Sequence, residues 1–359
     1  MSRPLRLRLQ QTRYPHWGRF SGIGQYLRHL PAERYAVDLQ FSGDDDLGLR
    51  VPEALRPWLR RKVQSRGMAW YKLSDLAAEL SIARGCLGGG PDIVHFLDGE
   101  HGVQFLPSLL RMTPARRPKL VASYHQPPDL LPELVRRDVA ERLDRVVLVA
   151  PIQRAFFEAF MPAEKIVTIL HGIDTDFFRP APHASGGVFR CVAAGQWLRD
   201  WPTVKAVAER LRDRPEFEFH LVTGKPTGLE GLPNVRFHKG VSDEALRDLY
   251  QQADALFLPL TGSTANNSVL EALACGLPIV STDLPAVRTY LGDAESLLLP
   301  PGDVEGSLAA LERLRTDPGM RATLSGASRR RAEALSWPKV AERYDALYRE
   351  LAQARAAAV

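Results

Sequence analysis

Cysteine is scarce in this chain of 359 residues: three occur, Cys86, Cys191 and Cys275, and no two stand in CxxC spacing. That scarcity argues against a disulfide framework or a cysteine-based zinc site and fits a reducing compartment. Long apolar runs are missing as well. No stretch is long enough to cross a bilayer, and residues 1–10 alternate Leu with Arg like a strand, without the continuous apolar core of a signal peptide. A cytoplasmic protein is the expectation. No constellation of metal ligands stands out, since the acidic run Asp44-Asp45-Asp46 reads as a solvated loop, so neither a metal nor another cofactor is expected. RNA-binding signatures are lacking too, which leaves no ground for a nucleic-acid partner.

What is present points to two α/β domains. The length exceeds what one core normally supports, and 45% hydrophobic residues is ordinary for a globular chain. Short apolar runs alternate with helical stretches, the pattern of doubly wound parallel sheets. The strands expected in the first half are 5–10, 35–41, 92–97, 119–125, 145–149 and 165–170. The alternation then restarts with 189–195, 217–222, 235–238, 255–260, 278–282 and 296–299. Between the two series lies 179–187, rich in Pro, Gly, Ala and Ser, which reads as a linker. The expected division is therefore a first Rossmann-like domain at 1–178, a second at 188–335, and a C-terminal helix at 336–359.

The net charge of +5 is uneven. Residues 1–180 hold about 26 Lys and Arg against about 20 Asp and Glu, so the basic excess belongs to the first half. Part of it lies at 55–66, where Leu55, Trp58, Leu59 and Val63 fall on one helical face and Arg60, Arg61, Lys62 and Arg66 lie around it. Such a helix either packs on the sheet with a solvated cationic face or lies on an anionic membrane.

The most informative segment is 264–283. The short apolar run 255–260, of buried-strand length, is followed by a polar turn in which Asn266, Asn267 and Ser268 supply helix-capping side chains, and then by a short apolar helix. Free N–H groups at that helix start, with the helix dipole behind them, favour a phosphate anion. Glu271 lies one turn further in. A carboxylate there would be repelled by a diphosphate, so its fitting role is to accept hydrogen bonds from neutral sugar hydroxyls such as those of a ribose. Complementing the positive end of its own helix is the plainer alternative.

This segment resembles the donor signature of the retaining glycosyltransferases of family 4, which have the GT-B fold. Glu271 matches the second of two acids, and Ala274-Cys275-Gly276-Leu277-Pro278 follows in register. The first acid is replaced: eight positions before Glu271 stands Ser263. Residues 171–180 resemble the family's signature ahead of the second domain, and 336–348 resemble its C-terminal helix that crosses back to the first. The resemblance implies two Rossmann-like domains facing across a cleft, an acceptor bound mainly by the first, and a nucleotide-diphospho-sugar bound mainly by the second. It further implies metal-independent transfer with retention.

Three further elements would line the site. Ser21-Gly22-Ile23-Gly24 follows the first strand and opens a helix, so that Gly22 and Gly24 permit close backbone approach of a ligand; it resembles the family's N-terminal glycine loop. His125, at a strand's C-terminal end, is placed to hydrogen-bond a sugar hydroxyl and looks like the family histidine that contacts the donor sugar. After the first strand of the second domain comes Gly195-Gln196-Trp197-Leu198-Arg199. Gln196 replaces the family's arginine, which leaves Arg199, alone or with Lys225, as the cation for a departing diphosphate. The surface alternative pairs Arg199 with Asp200 or Asp248. The nucleobase is expected beside residues 235–241, where Val241 lies. Other readings are a nucleotide-sugar 2-epimerase of the same fold and a nucleotide-sugar-binding protein without turnover. Nothing points to a glycosidase carboxylate pair. The acceptor would be a sugar, a lipid-linked molecule or another nucleophile, with peripheral contact to the inner face of the membrane through 55–66 in the lipid-linked case.

Overall fold

The computed structural model describes residues 3–14, 18–20, 22–43, 45, 51–64, 68–111, 117–182 and 187–357. Ser21, Asp44, Asp46, Arg66 and residues 183–186 of the expected linker lie outside the described residues. Two compact units form, one of residues 1–17, 22–171 and 338–359, the other of residues 18–21 and 172–337.

Each unit is a six-stranded sheet in which every pairing is parallel. In the first unit β1 (Leu5–Arg13), β2 (Tyr35–Gly43), β3 (Ile93–Phe96), β4 (Lys119–Tyr124), β5 (Arg145–Leu148) and β6 (Ile166–Thr168) run in the order β2-β1-β3-β4-β5-β6. In the second, β7 (Phe189–Ala194), β8 (Phe217–Val222), β9 (Val235–His238), β10 (Ala255–Leu258), β11 (Ile279–Thr282) and β12 (Ser296–Leu299) run β12-β11-β10-β7-β8-β9. All twelve expected strands are present. Sheets covered on both faces need apolar residues on both, and accordingly every residue of β3 and β10 is buried.

The largest departure is at β1, expected to end at Gln10. Its ladder with β2 continues to the pair Arg13↔Gly43. Gln10, Gln11 and Thr12 are polar yet buried, so hydrophobic patterning stops where the strand does not. Among the helices used below, α1 (Arg56–Gln64) and α2 (Leu73–Leu87) belong to the first unit. The second contributes α3 (Trp201–Arg210), α4 (Asp243–Gln251) and α5 (Asn267–Ala274), and α6 (Trp337–Ala357) ends the described chain. The face assigned to α1 divides. Leu59 and Val63 pack with Met68, Tyr71 and Leu73, whereas Leu55 and Trp58 are 53% and 58% exposed.

A buried polar network seats α6 on the first sheet. The Tyr26 hydroxyl meets that of Tyr348 at 2.6 Å, Tyr348 meets His95 Nδ1 at 2.6 Å, and His95 Nε2 meets Ser123 Oγ at 2.8 Å. Burial, with His125 adding to it, depresses His95 to about 3, so the ring stays neutral. At the rim Arg34 grips Asp345 through both carboxylate oxygens, at 2.6 and 2.7 Å.

Candidate functional site

In an open parallel sheet, ligands collect beyond the C-terminal strand ends where the winding direction reverses. The second unit winds from β7 to β8 and β9 on one side and through β10 to β11 and β12 on the other, so its switch point lies between β7 and β10. Residues 195–200 follow β7 and 259–266 follow β10, and the two loops are tied together. Asp200 N donates to Pro259 O and Thr261 N to Leu198 O, each at 3.0 Å. The turn is tight: Leu198, at φ 57°, is the one non-glycine residue with positive φ among those described.

Arg199 sits inside this turn, half-buried. Its Nε donates to Ala194 O at 2.9 Å and Nη1 to Trp197 O at 2.8 Å, while Nη2 reaches Ser268 Oγ at 3.2 Å and Asn266 Oδ1 at 3.4 Å. Burial lowers its pKa to about 10, which leaves it cationic at neutral pH. Neither expected carboxylate partner is the one it takes. Asp200 caps α3 by accepting from Thr203 N at 3.1 Å, and Asp248 pairs with Arg247 at 2.8 Å. Gly195 makes the seat possible, because at φ 89° a Cβ would lie 2.5 Å from Arg199 Nη2.

At the start of α5 the three polar residues divide their work. Asn266 is the N-cap, accepting from Val269 N at 3.4 Å. Asn267 is the first helical residue, and Ser268 donates to Ala194 O at 3.0 Å instead of capping. Ser263 is buried, with its hydroxyl on Thr264 O at 3.3 Å. Glu271 is buried one turn into α5 and accepts from the Tyr250 hydroxyl of α4 at 2.9 Å. Burial raises its pKa to about 7; Asp243 adds to the rise, while Tyr250 and Arg199 oppose it.

Gln196 and Lys225 are both exposed, with Gln196 beside Gly224 on the β8 loop. Val241, half-buried, follows Gly240 (φ 61°) on the β9 loop and precedes Ser242, the N-cap of α4. The structure thus gathers Arg199, Asn266, Ser268 and Glu271 around the α5 N-terminus, and it sets Gln196, Lys225 and Val241 on the neighbouring loops.

The first unit reverses its winding between β1 and β3. Gly22, at φ 88°, precedes the helix Ile23–His29, which is a 3-10 helix. A Cβ on Gly24 would come within 2.5 Å of Gln11 Oε1. His125, half-buried just past β4, places Nε2 2.7 Å from Leu97 O. A carbonyl only accepts, so Nε2 carries the hydrogen. Asp98 Oδ1 lies 4.0 Å from the same nitrogen. Burial pushes Asp98 up to about 6, against the pull of His125 and of the Thr12 N–H bond.

Tyr250, Asp98, Glu100, His101 and Tyr14 were not anticipated from sequence. Tyr250 reads as one apolar position of an amphipathic helix, with nothing to tie it to Glu271. Asp98-Gly99-Glu100-His101 did carry a signal, since polar residues directly after the buried strand β3 occupy the same position that drew attention to His125.

The sequence profile "Glycosyltransferase Family 4" matches residues 22–177, and the profile "Glycosyl transferases group 1" matches 198–317. The chain belongs to glycosyltransferase family 4, and its fold is GT-B. It is 28% identical over 262 residues to D-inositol 3-phosphate glycosyltransferase of Kineococcus radiotolerans, a match to 62% of this chain and 60% of that one. The chain thus spans less than two thirds of that relative's length. Its fold is similar to sucrose-phosphate synthase of Thermosynechococcus elongatus at TM-score 0.73 and 17% identity, covering 98% of this chain and 100% of the other. It is also similar to Anabaena HepE in complex with UDP and glucose, at TM-score 0.67 and 14% identity, covering 96% and 99%.

Proposed function

We propose that the protein transfers a glycosyl unit from a nucleotide-diphospho-sugar to an acceptor, with retention of anomeric configuration and without a metal ion. The observation that carries this reading is a half-buried cation and a buried carboxylate, Arg199 and Glu271, set about one helix N-terminus at the switch point of the second sheet. The diphosphate takes the α5 N-terminus and Arg199, the ribose hydroxyls take Glu271, and the nucleobase lies along the β9 loop beside Val241. The two Nη2 contacts of Arg199 are long and lead to neutral side chains, so a phosphate oxygen replaces them readily. His125 hydrogen-bonds the sugar undergoing transfer. As the bond to the sugar breaks, charge grows on the leaving diphosphate, where Arg199 stabilises it and where an oxygen on the same face accepts the acceptor's proton. The names of the similar proteins, an inositol-phosphate glycosyltransferase and a complex with UDP and glucose, support this reading.

A thermal-shift screen of UDP, GDP, ADP, TDP and their sugars tests the donor. At one hundred times its dissociation constant the right ligand adds roughly 2.7 kcal/mol of stability. No stabilisation by any of them contradicts a nucleotide-sugar donor. Retention is read from the anomeric proton coupling of the product, which must match that of the donor.

A lipid-linked acceptor would bring the first unit to the membrane through α1, where exposed Trp58 stands among Arg60, Arg61 and Lys62. The protein is then expected to sediment with anionic vesicles at about 50 mM salt and to detach as salt rises. Replacing Arg60, Arg61 and Lys62 by Gln removes about 1 kcal/mol per cation and abolishes sedimentation. Failure of the wild type to sediment at low salt leaves α1 a solvated face and points to a soluble acceptor.

A further inference from the structure

We propose that Glu100 is a positioning residue for His125, fixing the loop beyond β4 in the conformation that presents the imidazole. The proposal rests on the role given to His125 above. Glu100 is 2% exposed and lies in the turn that follows β3. One of its oxygens, Oε1, accepts from two consecutive backbone N–H groups, those of His125 and of Gln126, the latter at 2.8 Å. Both groups lie beyond the last residue of β4, where the sheet ladder no longer supplies acceptors, so the carboxylate replaces the missing strand partner.

The same turn holds the ring. Leu97 O accepts from His125 Nε2 at 2.7 Å, and Asp98 Oδ2 accepts from Thr12 N at 2.8 Å, tying the end of β1 to the same turn. His101 Nε2 meets the Tyr14 hydroxyl at 2.6 Å. Residues 97–101 therefore join the ends of β1, β3 and β4, and they approach β4 closely. A Cβ on Gly99 would lie 2.9 Å from both Ser123 O and the Tyr124 ring. Ring and main chain of His125 are thus both held by one five-residue turn, the ring by a carbonyl and the main chain by Glu100. A carboxylate that served only to cap a loop would have no effect on a reaction step carried by that ring.

Three variants separate the roles. Glu100→Gln keeps an oxygen at the same reach, Glu100→Asp keeps the charge but withdraws it by one methylene, and Glu100→Ala removes it. Loss of positioning is expected to lower kcat about tenfold to a hundredfold in Glu100→Asp and Glu100→Ala, as displacements near 1 Å do, with the Kd of UDP unchanged. Glu100→Gln should restore kcat to near the wild-type value. Unchanged kcat in folded Glu100→Asp, or an equal loss in UDP affinity, overturns the proposal. Should no acceptor support turnover in the wild type, the transferase reading falls, and the positioning role is read from the His125 ring resonances. These are expected to shift in Glu100→Asp and not in Glu100→Gln, and resonances unmoved in both variants overturn it.

Discussion

Replacing Glu271 by alanine is expected to weaken nucleoside diphosphate binding by about tenfold or more, because a hydroxyl pair loses a charged acceptor worth about 1.5–3 kcal/mol. The site is prepared for that role by what surrounds the carboxylate. Tyr250 occupies Oε2 at 2.9 Å, and burial holds the free-site pKa near neutrality, at about 7. Hydroxyl donors favour the ionised form and the diphosphate's negative charge disfavours it; where the ribose contact dominates, ligand binding pulls the pKa below 7 and releases a proton. Affinity must then rise as pH increases up to about 7 and level off above it. Glu271→Gln carries no titrating group and should lack this component, which separates it from the titration of the nucleotide's own phosphate. Calorimetry of UDP across pH 5–8 reads both effects. Unchanged affinity in folded Glu271→Ala would sink the ribose role.

Arg199→Ala should reduce turnover on the order of 10²-fold or more, the usual cost of removing one donor from a developing anion. The guanidinium also braces the β7 loop through Ala194 O and Trp197 O, so some loss of donor affinity accompanies the change. The diagnostic is the split between the two. A contact that tightens as the diphosphate departs lowers kcat at saturating donor more than it raises Kd. Arg199→Lys keeps the charge but loses the fork that reaches four groups at once, and it should recover only part of the activity. Intact kcat at saturation with weakened binding would make Arg199 a ground-state anchor.

Much of this was legible in the sequence, and what was not has a physical reason. A strand such as β10 declares itself because parallel sheets need unbroken apolar runs, whereas the far end of β1 is hidden because buried Gln10, Gln11 and Thr12 are polar. The helix start at Asn266 and the carboxylate one turn inside it are local in sequence, so spacing reveals them. The partners of Arg199 are not. Its seat depends on a positive φ at Gly195 and Leu198 and on side chains 67 and 69 residues away, which no local pattern reports. The bond between Tyr250 and Glu271 and the turn around Glu100 are likewise made by the topology, which brings separate strand ends to one edge.

Acceptor-dependent release of nucleoside diphosphate tests the proposed transfer most directly. With a saturating nucleotide-sugar selected by thermal shift and a panel of sugar, inositol-phosphate and lipid-linked acceptors, the account predicts one nucleoside diphosphate formed per glycosylated acceptor and little release without acceptor. Release at the same rate with and without acceptor, or none with any acceptor, would contradict it.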